Sequence, residues 1–274
     1  MSNAPSRTPP RLLRVHRIHD ITPQLRRITL GGHALAGFPV GSEGAHIKLL
    51  LAREGQTEPI LPTLGPDGPI WPPADARPIA RTYSVSRYDA ANGELDVDFV
   101  LHGDNGPASR WAGHAQVGHA VGVAGPGGPD RFKPGADWYL LVGDPSAYAL
   151  LLAVLNALPA DAKGYCFMEV PDHSETPPLD HPSGIELIIL SREGRHAADS
   201  TLLVDAVRAM RWPLGRPSVT IAGENSQVVA IRDHLLQARG IAKQDMYAVP
   251  YWKDHFTEEA YHAERHRIMD EMEQ

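Results

Sequence analysis

The first half of the chain is built from short runs in which apolar and polar residues alternate. Each run is bounded by Gly, Pro or Asp, which is typical of strands joined by turns. Around six antiparallel strands in succession predict a closed β-barrel. The predicted strands are Leu12–Ile18, Leu25–Leu30, His46–Leu51, Thr82–Arg87, Glu94–Leu101 and Ala120–Ala124.

Two segments interrupt this strand pattern. Glu54–Ile79 is dense in Pro and Gly and has little periodicity, which predicts a long excursion between two barrel strands. Ala108–Ala115 contains good helix formers and follows Gly106-Pro107, and Pro is favoured in a first helical turn. We therefore predict one helix within the barrel half.

The pattern changes after a stretch rich in Gly and Pro, residues 125–135, which is the predicted domain boundary. Apolar strands then alternate with helices, an order that produces a parallel sheet. The predicted fold is thus a six-stranded antiparallel barrel, residues 11–130, followed by a parallel-sheet α/β domain with a C-terminal helix, residues 137–274. Strands are predicted at Trp138–Val142, Tyr165–Val170, Ile185–Leu190, Ser218–Ala222 and Asp245–Trp252, and helices at Ala147–Leu158, Ser200–Met210, Gln227–Arg239 and Thr257–Met272.

Composition narrows the class of protein. The chain has 274 residues, 42% of them hydrophobic, which is enough for two cores. A formal net charge of −7 argues against a nucleic-acid partner, which requires a basic face. Cys166 is the one cysteine, which excludes an intramolecular disulfide or a cysteine-ligated metal cluster. Residues 1–11 lack the apolar core of a signal peptide, and no apolar run could span a bilayer, so we predict a cytoplasmic protein without a membrane partner.

The most informative segment is Arg81-Thr82-Tyr83-Ser84 on a predicted barrel strand. An arginine can pair with a diphosphate, an aromatic two residues later can lie against a flat ring, and a neighbouring hydroxyl can bond the ring edge. Taken alone, an ordinary barrel strand explains the segment equally well.

The second motif is Gly106-Pro107-Ala108-Ser109, at the start of the predicted helix. Free backbone N–H groups and the helix dipole favour a diphosphate at such a position, and small residues permit its close approach. Alone, this signal is weaker than the first.

Together and in this order, the two motifs resemble the siderophore-interacting protein family of flavin reductases, relatives of the ferredoxin reductase-like superfamily. The resemblance covers nearly the whole chain and implies bound FAD. It implies Arg81 at the diphosphate, Tyr83 at the isoalloxazine or ribityl chain, and Ser84 near flavin N5. The full FAD-binding set implied is Arg81, Thr82, Tyr83, Ser84, Asp98, Val100, His102, Gly106, Pro107, Ala108, Ser109 and Trp111.

A nicotinamide site is predicted where the strand before Gly143 ends and a helix opens. Nucleotides bind at the carboxyl ends of parallel strands, although this turn is not a GxGxxG fingerprint. A plain turn capped by Ser146 is an equal alternative from these residues alone. The resemblance favours the nicotinamide interpretation, with either NADPH or NADH as donor, at Gly143, Asp144, Ser146, Ala147, Gly223 and Glu224.

In the family, ferric siderophores lie in a basic pocket near the flavin. Lys48 lies on a strand that resembles the family strand supplying one of its lysines, although a solvated surface charge is the commoner role of a lysine. Tyr251-Trp252-Lys253 resembles the family's Tyr-Trp-basic signature, which has Gly shortly after it, where this chain has Asp254-His255-Phe256. The predicted substrate contacts are Lys48, Arg131, Trp252 and Lys253.

The resemblance implies electron transfer from NAD(P)H through FAD to a ferric siderophore, which releases iron as Fe(II) and requires no catalytic side chain. No metal site is predicted: His196 has no ligand spacing, and His262 and His266 are interpreted as lying on a solvated helix. Two alternatives stay open. One is a general NAD(P)H–flavin reductase that serves proteins or free flavin, and the other is a siderophore-binding protein without turnover.

Overall fold

The computed structural model describes residues 8–66, 68–104 and 106–273, with the backbone alone of residues 259, 262, 266 and 271–273. The predicted N-terminal segment thus lies mostly outside the described residues, as do the side chains of His262 and His266. Within the described part of the chain, no helix is long and apolar enough to cross a membrane.

The first half forms a closed barrel of six strands in the order β1-β2-β7-β6-β3-β8, which confirms the predicted fold class. The pairs β1–β8, β3–β6, β3–β8 and β6–β7 are antiparallel. In chain order the elements of this half are β1 (Arg11–Thr22), β2 (Leu25–Gly31), β3 (His46–Leu51), β4 (Thr63–Gly65), β5 (Gly68–Ile70), β6 (Ile79–Asp89), β7 (Glu94–Val100), α1 (Pro107–Gly113) and β8 (Ala120–Gly127).

Several barrel strands are longer than the sequence pattern predicted. β1 continues to Thr22, and β8 continues to Gly127, which pairs with His46 of β3. Backbone pairing needs no apolar side chain, so it extends past the alternating run to the next turn. β4 and β5 form a hairpin inside the excursion, and their three-residue strands are too short to produce a visible alternation.

The barrel core is formed by side chains that alternate along the strands and point inward. Leu49 of β3 and Val85 of β6 are both fully buried in it, and α1 adds Ala112. The predicted helix thus covers part of the core, and its first residues belong to the Gly106–Ser109 motif.

The second half forms a parallel sheet in the order β11-β10-β9-β12-β13, as predicted. The chain starts at the middle strand β9, moves to one side, and then continues on the other, so the switch point lies between β9 and β12. The elements are β9 (Trp138–Gly143), α2 (Tyr148–Ala157), β10 (Lys163–Val170), β11 (Gly184–Ser191), α3 (Leu202–Ala209), β12 (Pro217–Glu224), α4 (Asn225–Ala238), β13 (Met246–Trp252) and α5 (Glu258–Glu273).

The C-terminal helix α5 begins where the sequence predicts. The hydroxyl of Thr257 accepts a hydrogen bond from the backbone N–H of Ala260 at 3.2 Å, which is the expected N-cap interaction. Tyr261 and Ile268 bury their side chains, 2% and 5% exposed, although most of the helix is charged. These two residues attach the helix to its domain.

The chain divides into two compact units, Met1–Asp20 with Arg26–Gly128, and Ile21–Leu25 with Pro129–Gln274. The assignment of Ile21–Leu25 to the second unit has a local cause. The buried carboxylate of Glu175 accepts hydrogen bonds from the Thr22 hydroxyl at 2.6 Å and the Gln24 backbone N–H at 2.9 Å.

Candidate functional site

The register of β3 and β6 decides which way the first motif presents its side chains. Arg81 pairs with Leu49 and Tyr83 pairs with Ile47, so this face carries the core residues of the barrel. The next residue of each strand lies on the opposite face, where the ammonium of Lys48 donates to the hydroxyl of Thr82. The motif therefore has an arginine and an aromatic ring on one face and hydroxyls beside a lysine on the other.

The two motifs meet through one buried phenylalanine. The ring of Tyr83 lies 4.6 Å from that of Phe99 in β7, and Phe99 lies 5.6 Å from Trp111 in α1. Phe99 is fully buried, whereas Tyr83 and Trp111 are half-buried. The folded barrel thus brings the predicted flavin strand and the predicted diphosphate helix together, far apart as they are in sequence.

Gly106 and Ser109 determine the geometry at the start of α1. Gly106 is the N-cap and has no side chain to accept from the first amides of the helix. Ser109 is buried, and its hydroxyl accepts from the His102 backbone N–H at 3.0 Å and donates to the Gly103 carbonyl at 2.8 Å. This pair of bonds fixes the turn before the helix, so the amides of the first turn are held in a defined position.

Asp98 has a partner that the sequence did not reveal. Both carboxylate oxygens bond to the Arg27 guanidinium, at 2.7 and 2.8 Å, and the Ser86 hydroxyl donates to one of them at 2.6 Å. The Asp98 side chain is only 3% exposed. Arg27 lies between Arg26 and Ile28 in β2, so the sequence shows a charge on a predicted strand but does not identify its partner. Asp98 is thus part of the barrel's support.

The barrel residues fit a flavin dinucleotide. Such a ligand needs a flat apolar contact, a cation for its diphosphate and amide donors that no side chain has capped. Tyr83, the half-buried Arg81 and the first turn of α1 supply these three features. Val100 and His102 lead directly from β7 into that turn. The roles of the individual residues stay predictions.

In the α/β unit, Asp144 connects three strand ends at the carboxyl edge of the sheet. One oxygen accepts from the backbone N–H and hydroxyl of Ser146, at 2.8 and 2.6 Å. The other accepts from the Glu224 backbone N–H and the Trp252 indole N–H, both at 2.8 Å. Burial raises the pKa of Asp144, and these hydrogen bonds act against that rise. Asp144 therefore fixes the crevice at the switch point.

Two glycines of the predicted set are required by close packing. A Cβ on Gly143 would lie 2.8 Å from the Ala147 Cβ and 2.9 Å from the Ala222 carbonyl. Gly223 has φ of 142°, and a Cβ there would lie 2.6 Å from a carboxylate oxygen of Asp144. Neither position therefore has room for a side chain, because the strand ends pack closely around it.

Glu224 and Glu169 are buried carboxylates at the same edge. Glu224 caps α4 by accepting from the backbone N–H of Ser226 at 2.6 Å. Glu169 interrupts the apolar strand β10 and was not predicted as a site residue. It accepts from the Ser200 hydroxyl at 2.6 Å and pairs with Arg192 at 3.0 Å, while burial raises its pKa. The two buried carboxylates thus connect neighbouring loops at this edge of the sheet.

The three cationic side chains predicted to contact the substrate have different surroundings. Lys48 is exposed on the outer face of the barrel. Lys253 is paired with both oxygens of Glu264, at 2.9 and 2.7 Å, and lies 4.5 Å from the Phe256 ring centre. Arg131 is half-buried, and its carbonyl accepts from the Thr220 hydroxyl at 2.7 Å. Glu264 of α5 therefore balances the charge of Lys253, and this pairing was not predicted from the sequence.

Comparison with known proteins agrees with this architecture. The family model described as "Siderophore-interacting FAD-binding domain" matches residues 14–130, and the model "Siderophore-interacting protein" matches residues 136–255. Ferric vibriobactin reductase ViuB of Vibrio cholerae is 40% identical over 273 residues, 99% of either chain. The NADPH-dependent ferric-chelate reductase of Escherichia coli is 31% identical over 88% of this chain and 92% of its own.

A solved structure shows the same relationship. The siderophore-interacting protein SipS from Aeromonas hydrophila superposes with a TM-score of 0.84 at 36% identity, covering 96% of this chain and 98% of its own. The two family matches together span both the barrel and the parallel sheet. This chain belongs to the siderophore-interacting protein family.

Proposed function

We propose that this protein is a flavin-dependent reductase that moves electrons from NAD(P)H to ferric siderophores and releases the iron as Fe(II). The observation that carries the proposal is the convergence of Tyr83, Phe99 and Trp111. It joins the two predicted flavin motifs in a chain whose relative in Vibrio cholerae, matched over 99% of its length, is named a ferric vibriobactin reductase.

In the barrel, the chain's task is to bind and orient the cofactor. Arg81 would neutralise the diphosphate of FAD, the first-turn amides of Ala108 and Ser109 would donate to it, and Tyr83 would provide a flat contact for the ring. When bound, FAD supplies the conversion of a two-electron hydride donor into one-electron steps. Phe99 fixes the Tyr83 ring from behind, so the aromatic face is in place before the cofactor binds.

In the α/β unit, the chain's task is to admit the nicotinamide nucleotide. Gly143 and Gly223 allow the strand ends to pack closely, and Asp144 holds those ends in register through four hydrogen bonds, beside which the nucleotide would bind. The relative in Escherichia coli is named NADPH-dependent, which supports NADPH as one of the two donors to test. Because these nucleotides belong to the cell interior, our proposal places the reaction in the cytoplasm.

The substrate side of the proposal depends on charge. Siderophores bind Fe(III) through hard, mostly anionic oxygens, which hold Fe(II) much less strongly, so reduction frees the iron. Lys48, exposed beside Thr82, supplies the cation for an anionic chelate. Each NAD(P)H supplies two electrons for two Fe(III) ions and leaves one proton, which solvent can accept, so no side chain has to act as a general acid or base.

The test is an anaerobic absorbance experiment on the purified protein. We expect a yellow protein that bleaches with NADPH or NADH and regains its colour when a ferric siderophore is added, with ferrous iron collected by a chelating dye. Arg81→Ala should lose bound FAD on gel filtration. The matched control is Arg17→Ala, an exposed barrel arginine paired with Glu94, and it should keep FAD.

Three outcomes contradict the proposal in different ways. If the protein cannot take up FAD, the proposed cofactor is wrong. If it binds FAD that NADPH and NADH cannot bleach, the proposed electron donor is wrong. Equal reduction of ferric chelates and unrelated acceptors, without saturation by the siderophore, indicates the general flavin reductase instead.

A further inference from the structure

Two histidines and one aspartate lie together at the surface of the α/β unit. His196 follows β11, and Asp254 and His255 follow β13. One ligand atom of each side chain lies within 4.8 Å of those of the other two. The Asp254 oxygen is 3.6 Å from the nearer nitrogen of His196 and 4.0 Å from that of His255. None of these residues has a role in the proposed electron transfer.

The carboxylate of this cluster is fixed before any ligand binds. One oxygen of Asp254 accepts from the His255 backbone N–H at 3.0 Å, and the other accepts from the Ala198 backbone N–H at 3.3 Å. The backbone N–H of Asp254 in turn donates to the buried Glu224 at 3.3 Å. The Asp254 side chain is only 16% exposed, whereas the two histidine side chains are about two-thirds exposed. The segment that carries His196 is thus tied to the segment that carries Asp254 and His255.

The backbone at His255 is strained. Its φ is 65°, in the left-handed region that glycine adopts without cost and that few other residues enter. Such strain persists where the surroundings impose it, and it concentrates at ligand sites. In this conformation the imidazole ring of His255 lies 4.9 Å from that of His196, with a tilt of 43°. A glycine would relieve the strain but would provide no imidazole.

From this geometry we propose that His196, Asp254 and His255 form a binding site for one divalent first-row transition metal ion. Two imidazoles and one carboxylate are a ligand set that suits Zn²⁺ and Fe²⁺ better than Ca²⁺ or Mg²⁺, which prefer oxygen alone. Exposure of the two rings leaves the remaining coordination positions open to water. The proposal does not depend on the proposed reductase function.

The observed separations are close to those that a bound metal requires. With metal–ligand bonds of about 2.1 Å, neighbouring ligand atoms lie about 3.0–3.4 Å apart. The two contacts of Asp254, at 3.6 and 4.0 Å, lie above that range, and the two histidine nitrogens are separated by at most 4.8 Å, so the two exposed imidazole rings must turn inward to close the site. The Asp254 carboxylate is already held by two backbone N–H groups and need not move, so the cost of assembling the site is low.

The experiment is a calorimetric titration of tag-free protein with Zn²⁺ alone, without FAD, nucleotide or siderophore. We expect one Zn²⁺ ion per chain. His196→Ala and His255→Gly should each weaken binding at least tenfold, because each removes a direct ligand, and loss of an outer-shell partner alone costs 10- to 100-fold. Circular dichroism of the two variants should match that of the wild type, since both side chains are exposed.

Two control variants separate this site from other histidines. His33→Ala removes an exposed histidine of the barrel and should leave Zn²⁺ affinity unchanged. His262→Ala/His266→Ala removes the pair with i, i+4 spacing on α5 and should also leave it unchanged. The proposal is wrong if the wild type takes up no Zn²⁺, or if binding survives in His196→Ala and disappears in the α5 double variant.

Discussion

The predicted cofactor residues of the barrel and those of the α/β unit occupy different environments. In the α/β unit, Asp144 and Glu224 are almost fully buried, and their oxygens accept hydrogen bonds from turns and strand ends. In the barrel, Arg81 and Tyr83 are half-buried on a strand whose neighbours form the core. A motif therefore contains two kinds of residue, those that build a site and those that can contact its ligand, and burial separates them.

The most severe loss of stability should follow removal of the Asp144 carboxylate, which accepts four hydrogen bonds in the α/β unit. Asp144→Ala leaves the Trp252 indole, the Glu224 amide and both donors of Ser146 without their acceptor, so we expect a loss of about 3–5 kcal/mol in the free energy of unfolding. Urea-dependent labelling of the buried thiol of Cys166 measures this unit directly.

The control for this variant is Ser146→Ala, which removes one of the four donors and should cost about 1 kcal/mol. FAD retention by the barrel should be unchanged in both variants. A loss below about 1 kcal/mol in Asp144→Ala would mean that the carboxylate is not the support that its hydrogen bonds indicate.

The corresponding change in the barrel is Arg27→Met. It leaves the Asp98 carboxylate, 3% exposed, without its cation, and breaking a buried pair from one side costs about 3–5 kcal/mol. Since the Arg27 side chain is 23% exposed, we expect about 2–3 kcal/mol, measured by thermal unfolding. The matched change Arg17→Ala breaks the exposed pair with Glu94 and should cost about 0.5 kcal/mol or less. Equal costs for the two would contradict the structural role of Asp98.

A ligand-contacting residue should show the opposite behaviour, with function lost and stability kept. Lys48→Ala should raise the KM for an anionic ferric chelate about fivefold, equivalent to about 1 kcal/mol, and leave kcat unchanged, because an exposed cation contributes equally to ground-state and transition-state binding. Steady-state kinetics with Lys163→Ala, an exposed lysine of β10, is the control. An effect on kcat alone would mean that Lys48 does not contribute to substrate binding.

The smallest expected effect is a gain in stability. His255→Gly removes a left-handed residue with a side chain, φ 65°, and should raise the free energy of unfolding by about 0.5 kcal/mol after the greater flexibility of unfolded glycine is included. Urea titration of metal-free protein measures it. His196→Ala, at a position with ordinary backbone angles, should show no such gain. If His255→Gly lowers the free energy of unfolding, the backbone at His255 is not strained.

The sequence predicted the fold well because both halves have strong local patterns. β3, His46–Leu51, was predicted to the residue, since its apolar run is bounded on both sides. The hairpin β4–β5 escaped prediction because three residues do not establish a period. The α/β strands were predicted as continuous apolar runs, which is how buried parallel strands read.

The site was predicted less completely because its support depends on residues distant in sequence. The contact of Arg27 with Asp98 requires knowing that β2 lies next to β7 in the barrel. The pairing of Lys253 with Glu264 requires the direction of α5. The cluster of His196 with Asp254 and His255 joins two loops after different strands, so no spacing rule detects it.

The burial of Cys166 has a consequence for the survival of the enzyme during its own reaction. Ferrous iron released in the presence of oxygen generates peroxide, and peroxide oxidises thiolates first. Cys166 is fully buried in β10, and desolvation raises its pKa to about 12, so almost no thiolate exists at neutral pH. With no other cysteine in the chain, the protein offers peroxide no reactive sulfur of this kind and can release ferrous iron repeatedly without oxidising a thiol of its own.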